Sequence, residues 1–455
     1  MKVLFCASEI YPYAKTGGLG DVGDALPKSL QKYADVAVAM PMYSFISSDD
    51  LQVFASFSLQ MGGIDYEIEI YNTQNYYFIK APLLSSTENL YGNALGDYAS
   101  NDIRFGLFAK AIVELCTLMS VDILHVNDWH SALAPLFIKE KGLHVKSVLT
   151  IHNLAYQGIF SKESLQRLGL DNSYFRMEAL EFYGKINFLK AGIAFCDALT
   201  TVSPSYAQEI LTPAFGCGLD GFLQAHKYKL HGILNGINAD FFDPKTDSFL
   251  AYNYDANHLE DKRKNKVAFL KKIKLKDPRK PLFIVLSRLV PQKGIDLICK
   301  ALPEILAHKI NLYILGDGEG DMISQLTQAA LRYENFVFEN CYDESLSHQA
   351  YAAADFVLMP SLFEPCGLVQ MIAMRYGVIP IVFATGGLRD SVFEDQDKCG
   401  RGVVFTKYSK KQFLLALQRA LLLQKDDALK KANMACDFSF QKSAKAYFEI
   451  YKALV

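Results

Sequence analysis

Lys15-Thr16-Gly17-Gly18-Leu19-Gly20-Asp21-Val22 decides how the first half of this chain is read. The run Val3-Leu4-Phe5-Cys6-Ala7-Ser8 before it has the apolar pattern of a buried strand. After it, Val22, Leu26, Ser29 and Leu30 share one face of an amphipathic helix over 21–30. Adjacent glycines at a strand-to-helix turn let backbone N–H groups approach an anion, and a helix N-terminus favours negative charge. Lys15 adds a full positive charge. Alone, the segment is also compatible with an ordinary tight turn. Its meaning depends on a matching set of groups in the second half.

Working outward, the first half alternates short apolar runs with longer amphipathic ones. Val3–Ser8, Asp35–Met40, Ile123–Asn127, Ser147–His152 and Ala198–Ser203 read as buried strands, with helices over Ile103–Leu118 and Lys185–Cys196. Tyr66–Asn72 and Asn75–Lys80 alternate polar and apolar residues, as a partly exposed hairpin does. The second half repeats the design with strands at Leu282–Ser287, Asn311–Leu315, Phe336–Cys341, Asp355–Pro360 and Pro380–Ala384. Such alternation gives parallel, helix-covered sheets, so the fold class is α/β with two Rossmann-like domains. The expected division is 1–237, 238–437 and a C-terminal helix over 438–455, marked by Ala444, Tyr447, Phe448, Tyr451 and Leu454 at helical spacing. The basic stretch Asp261–Lys280 is either a polyanion site or, more plainly, the solvated face of a helix whose apolar stripe is Val267, Phe269, Leu270 and Ile273.

Composition narrows the function. A chain of 455 residues exceeds one ordinary core. A net charge of −2 supplies no basic field, so nucleic acid is not an expected partner. No apolar run nears the roughly 18 residues that cross a bilayer, and a strand follows Met1-Lys2 directly, so neither membrane nor signal peptide is expected. Nine scattered cysteines without a Cys-x-x-Cys pair suggest reduced thiols and a cytoplasmic location.

Several segments carry groups suited to chemistry. Arg288 and Lys293 follow the strand Leu282–Ser287, where open α/β sheets bind ligands. Two preorganised cations there would stabilise a departing diphosphate. A surface Arg and Lys is the plainer reading of the pair alone. Glu364, in Phe363-Glu364-Pro365-Cys366-Gly367-Leu368, could meet sugar hydroxyls or simply begin a helix. Cys366 reads as a structural thiol. Thr385-Gly386-Gly387 is a second glycine turn before a helix, and Gly316-Asp317-Gly318 a third. Tyr342 is placed to stack on a flat ring. His125, His130 and His152 fit no usual zinc spacing, and Asp395 with Asp397 reads as a solvated loop, so no metal is expected.

These segments, with Asn127–His130, His152–Gly158 and Asn235–Ile237, occur in the order found in bacterial glycogen synthases and plant starch synthases. The chain resembles that family from about residue 2 to its C-terminal helix. The resemblance implies a GT-B fold, two Rossmann-like domains facing across a cleft. It implies retaining transfer of glucose from ADP-glucose to the non-reducing 4-OH of an α-1,4-glucan such as glycogen. It further implies a catalytic set of Glu364, His152, Arg288 and Lys293. Lys15, Gly17, Gly18, Asp21, Gly316, Asp317, Tyr342, Cys366, Gly367, Leu368, Thr385, Gly386 and Gly387 would contact the nucleotide sugar. Glu9, Asp128, Trp129 and Asn153 would line the acceptor and glucose side. No cofactor is implied, and nothing fixes the oligomeric state.

Ile372 occupies the position where related retaining transferases carry a second Glu, so only one carboxylate can serve the donor. Retention then arises most simply by front-face attack. The competing readings are a UDP-glucose-using GT-B transferase, a sugar-nucleotide epimerase, and a non-catalytic glucan-binding protein. The last would be expected to have lost Lys15, Arg288, Lys293 or Glu364.

Overall fold

The computed structural model describes residues 1–93, 95–318, 320–394 and 399–455. Asp395 and Asp397 therefore lie outside the described residues. The chain divides into two compact units, Met1–Asn235 with Phe440–Val455, and Gly236–Ser439. The expected boundaries were after 237 and after 437.

The first unit is built on a nine-stranded sheet. Its strands are β1 (Lys2–Cys6), β2 (Asp35–Pro41), β3 (Gln52–Met61), β4 (Ile64–Thr73), β5 (Tyr76–Lys80), β6 (Ile123–Asn127), β7 (Lys146–Ile151), β8 (Ala198–Thr201) and β9 (Leu230–Gly232). Their order is β9-β8-β7-β6-β1-β2-β5-β4-β3. β9 through β5 run parallel, and β4 and β3 add an antiparallel edge. The strand order reverses beside β1, which pairs with both β2 and β6. Such a switch point opens a crevice at the carboxyl ends of the strands. The Lys15 turn follows β1 and the Asp128 turn follows β6, so both stand there.

The first unit's longer helices include α1 (Gly18–Leu30), α2 (Asn101–Met119) and α3 (Phe188–Phe195); helix α1 buries Val22, Leu26 and Leu30. It packs against the chain's last helix, α7 (Phe440–Leu454). Tyr33 stacks on Phe448 at 5.3 Å between ring centroids, and Tyr447 and Tyr451 are buried.

The second unit has β10 (Leu282–Leu286), β11 (Asn311–Leu315), β12 (Phe336–Glu339), β13 (Phe356–Met359), β14 (Ile379–Phe383) and β15 (Val403–Phe405). All are parallel, in the order β12-β11-β10-β13-β14-β15. The reversal falls beside β10, so the Arg288 turn after β10 and the Glu364 turn after β13 share a second switch point.

Four expectations need correction. The helix expected from Lys185 begins at Phe188, because Lys185–Asn187 is a strand in a small three-stranded sheet. The Asn187 side chain caps that helix by accepting from Lys190 N–H at 2.9 Å. The edge strand β3 went unread: its side chains are mostly exposed, which weakens any apolar signal. Not all cysteines are free, since Cys399 and Cys436 form a disulfide with Cα atoms 5.7 Å apart. Their separation of 37 residues carries no motif.

The basic stretch is the fourth. It forms α4 (Leu259–Lys272), but Lys262 and Lys266 are buried and Val267 is 53% exposed. Lys266 pairs with Asp355 at 2.6 Å. Lys262 Nζ donates to the carbonyls of Tyr351 and Ala352, both at 3.1 Å, at the end of the helix Glu344–Ala353. The stretch is therefore half structural, its lysines capping carbonyls.

Burial lowers the Lys262 pKa to about 7. An unfolded lysine titrates near 10.4, so the unfolded chain binds more protons in the window between. Stability should then rise with pH from about 7 to about 10 by an amount on the order of a few kcal/mol. Lys262→Met should flatten this slope in melting curves taken across that range. Parallel pH profiles for the two proteins would refute it.

Candidate active site

In the second unit, close backbone approach sets the geometry. Gly294 has φ +71°, and a Cβ there would lie 2.0 Å from the Pro360 carbonyl oxygen. Only glycine allows both. The two turns are zipped further by Leu362 N–H donating to the Gln292 carbonyl at 2.9 Å. This contact sets Lys293 on Glu364: Nζ donates to Oε1 at 2.9 Å and Oε2 at 2.6 Å. Ser361 Oγ donates to Oε2 at 3.0 Å. Glu364 is 4% exposed and lies in the loop ahead of α5 (Val369–Arg375), so it is no helix-start acid. Arg288 is exposed.

Neighbouring turns close in the same way. A Cβ on Gly387 would sit 2.2 Å from the Cys366 carbonyl oxygen, and Gly387 N–H donates to the Glu364 carbonyl at 3.0 Å. This draws Thr385 and α6 (Gly386–Ser391) onto the Cys366-Gly367-Leu368 turn. Gln370 is fully buried, its Nε2 donating to Cys366 and Gly367 carbonyls at 3.1 and 2.8 Å and to Ser391 Oγ at 2.9 Å. The Cys366 thiol is buried and faces the Gly367 carbonyl. On the other side, a Cβ on Gly316 would meet the Ser287 carbonyl oxygen at 1.8 Å, and Leu289 N–H donates to the Asp317 carbonyl at 2.7 Å. Tyr342, just past β12, is 70% exposed.

In the first unit, Gly17 is the N-cap of α1. Lys15 Nζ pairs with Asp21 at 2.7 Å and lies 5.5 Å from the Tyr11 ring centroid. Two expectations change here. At the glycine turn, read as an anion cradle, the Gly17 N–H and the neighbouring Thr16 N–H are already bonded. Their acceptor is Glu9, at 2.6 and 3.1 Å, so Glu9 turns into the loop rather than to an acceptor sugar.

Beside this loop, Asn127 and Asp128 hold His152. Asn127 Nδ2 donates to the Cys6 carbonyl at 2.9 Å, and its Oδ1 accepts from His152 Nε2 at 2.8 Å. Asp128 Oδ1 accepts the His152 N–H at 2.7 Å, and the carboxylate also meets the Asn153 N–H. Asp128 has φ +54°, a strained state of the kind that persists at functional sites. Burial pushes the Asp128 carboxyl up to about 7 and pulls the His152 imidazole down to about 3. His152 is then a neutral donor and acceptor. Trp129 is 8% exposed and packs on Phe105, His130 and Phe160. A Cβ on Gly158 would strike its ring at 2.4 Å.

Sequence reasoning missed Gly294, Ser361, Gln370 and Tyr91. Gly294 had a signal, a glycine directly after Lys293; buried Gln370 had none. Among the described residues no three His, Cys, Asp or Glu side chains converge as a metal site requires. No helix there is long and apolar enough to cross a membrane.

The starch synthase catalytic domain family matches residues 2–225, and glycosyl transferases group 1 matches 266–434. Glycogen synthase from Aquifex aeolicus (strain VF5) is 43% identical over 99% of both chains. The chain belongs to the glycogen and starch synthase family. Glycogen synthase of Geotalea daltonii (strain DSM 22248 / JCM 15807 / FRC-32) is 40% identical over 100% of this chain and 99% of its own. The catalytic domain of starch synthase IV from Arabidopsis thaliana, solved bound to ADP and acarbose, superposes with TM-score 0.91 at 34% identity over 99% of each chain. Sucrose-phosphate synthase from Thermosynechococcus elongatus shares the fold at TM-score 0.61 and 17% identity. The fold is GT-B, and this member of the family is a glycosyltransferase that makes glycogen or starch.

Gly294→Ala should force the Lys293 turn away from Pro360. Turnover should fall about 10²-fold, the scale of a 1 Å misplacement, and stability by about 1–3 kcal/mol. Initial rates and melting temperature test both. Wild-type turnover would show that this contact does not set the Lys293–Glu364 geometry.

Proposed function

We propose that this glycosyltransferase takes ADP-glucose as donor and transfers glucose with retention to the non-reducing 4-OH of an α-1,4-glucan. The observation that carries the reading is the Lys293–Glu364–Ser361 cluster at the switch point beside β10, with Arg288 on the same turn. It places two cations and one carboxylate at the carboxyl ends of parallel strands. That set suits a diphosphate leaving group joined to a sugar.

In this proposal Arg288 and Lys293 take the charge that develops on the diphosphate. In the first unit, Lys15 on its glycine turn is the candidate contact to a diphosphate. Glu364 Oε1 has only Lys293 as partner among the described residues, so it can still accept a sugar hydroxyl. His152, held neutral with its proton on Nε2 for Asn127, accepts from a sugar hydroxyl through Nδ1. The bond from glucose C1 to the phosphate oxygen breaks, and the acceptor O4 bonds to C1 on the same face. The acceptor proton passes to the departing phosphate oxygen. No metal and no covalent glucosyl-enzyme is required in this scheme. Asp128, Trp129 and Asn153 line the glucan side, and exposed Tyr342 offers a face to the nucleobase.

Purified protein incubated with glycogen should release nucleotide far faster from ADP-glucose than from UDP-glucose. Equal or better use of UDP-glucose would overturn the donor assignment.

Arg288→Ala and Lys293→Ala should each lower kcat by about 10²–10³, the loss seen when one preorganised charge stabiliser is removed. Arg288→Ala should leave the melting temperature nearly unchanged because the side chain is exposed. Near-normal kcat in either variant would remove that residue from the leaving group.

A further inference from the structure

The anion that fills the glycine turn after β1 is one of the chain's own. Glu9 Oε2 accepts the Thr16 N–H at 2.6 Å and the Gly17 N–H at 3.1 Å. Oε1 accepts the Thr16 hydroxyl at 2.7 Å and the Tyr91 hydroxyl at 2.7 Å. A carboxylate offers about four acceptor sites, so all of them are in use. Glu9 is 4% exposed. It has no capacity left for a sugar hydroxyl, but it fixes the shape of the turn that carries Lys15.

Tyr91 is the far end of this arrangement. A phenol has one proton, and Glu9 takes it. The Ser8 hydroxyl, 2.8 Å away, must then donate to the Tyr91 oxygen, giving a directed chain Ser8 to Tyr91 to Glu9. Each member is held separately. Tyr43 O–H donates to the Ser8 carbonyl at 2.9 Å. Asn101 Nδ2 donates to the Tyr91 carbonyl at 2.7 Å. Fully buried Arg104 donates to the carbonyls of Leu83 and Leu90 and to Thr87 Oγ1, fixing the loop that presents Tyr91. The Tyr91 ring stacks on His130 with centroids 4.4 Å apart, and His130 packs on Trp129 at 4.1 Å. One hydrogen-bonded strut thus joins the Lys15 turn to the Trp129–His130 aromatic layer.

We propose that Glu9 and Tyr91 are positioning residues of the transfer reaction: their strut holds the Lys15–Gly18 turn in the shape that receives the donor diphosphate, and locks it to the aromatic layer on the glucan side. The inference rests on the reading of Lys15 given above. It assigns Tyr91 a role that its sequence context did not suggest, and it moves Glu9 from the acceptor to the donor loop.

The test compares Tyr91→Phe, Glu9→Gln, Glu9→Ala and the Tyr91→Phe/Glu9→Gln pair, with Lys15→Ala in the same assays. Initial rates against ADP-glucose and glycogen are measured separately, with ADP affinity by calorimetry and melting temperature alongside. Tyr91→Phe keeps the stacked ring and removes only the hydroxyl. It should cut kcat about tenfold, within the range expected for a misplaced donor, raise the ADP-glucose KM, and leave the glycogen KM near wild type. Glu9→Gln can keep all four bonds if both hydroxyls reverse, so it should retain far more activity than Glu9→Ala. The double variant should be little worse than Tyr91→Phe alone, because coupled neighbours are not additive. Wild-type kinetics in Tyr91→Phe, or a loss in Glu9→Gln as large as in Glu9→Ala, would overturn the strut. A rise in glycogen KM alone would return Glu9 to the acceptor side and overturn it too. Should Glu9→Ala fail to fold, Tyr91→Phe and the double variant decide. If Lys15→Ala keeps full turnover, the reading of the loop as a diphosphate site fails; if it loses turnover while Tyr91→Phe does not, only the strut fails.

Discussion

Everything in the second unit's site depends on backbone approaching backbone more closely than any Cβ permits. Gly294 against Pro360, Gly387 against Cys366 and Gly316 against Ser287 leave 1.8–2.2 Å where a side chain would need more than 3. These three contacts join turns that follow the neighbouring strands β11, β10, β13 and β14. The sheet delivers the turns to one edge, and the glycines bring them into register. Lys293 meets Glu364 because the turns are that close, not because either side chain reaches far. An ion pair formed so costs little extra ordering, since the backbone has already been fixed. Gln370, buried and bonded to two turn carbonyls and to the Ser391 hydroxyl of α6, ties the arrangement together.

Both units meet the same electrostatic problem. A site proposed to take a diphosphate needs cations, and cations stripped of water are costly unless paired. Each unit pairs its lysine with a carboxylate, Lys15 with Asp21 and Lys293 with Glu364. The pairs differ in burial. The lysines are about equally exposed, Lys15 at 21% and Lys293 at 20%, but Asp21 is 22% exposed and Glu364 only 6%. Glu364 would be left as a buried uncompensated charge if Lys293 were removed. In the proposed mechanism, loss of Lys293 would therefore act on Glu364 as well as on the leaving group.

The fold was legible because alternation of apolar runs is a strong signal and parallel sheets bury their strands on both faces. The strands that carry the site are the fully buried ones, Ile123–Asn127 and Leu282–Leu286 among them. What went unread was the edge Gln52–Met61, where exposure leaves little pattern, and the strand Lys185–Asn187, whose three residues are too few to show alternation. At the site, charged residues at strand ends could be read from position alone. Their partners could not. Glu9 and Tyr91 are 82 residues apart, and Lys293 and Glu364 are 71 apart, so only the folded chain shows that they meet. The basic stretch misled because composition does not distinguish a solvated lysine from one whose buried amine caps carbonyls, as Lys262 does.

The first unit adds a constraint from the far end of the chain. His125 lies on β6, on the strand that ends in Asn127. One ring nitrogen bonds the Tyr451 hydroxyl and the other Thr150 Oγ1, both at 2.6 Å. Thr150 in turn bonds Thr200 at 2.6 Å. β6, β7 and β8 are thus pinned to one another and to α7 by a fully buried polar network. Burial holds His125 near 3, so the ring stays neutral and the network carries no charge to be solvated. A network satisfied at every member specifies one register, whereas an apolar contact would tolerate a slip. β6 must not slip, because Asn127 and strained Asp128 at its end both hold His152. The last helix of the chain therefore does more than cover a hydrophobic face: Tyr451 reaches beneath the sheet to fix the strand on which His152 depends.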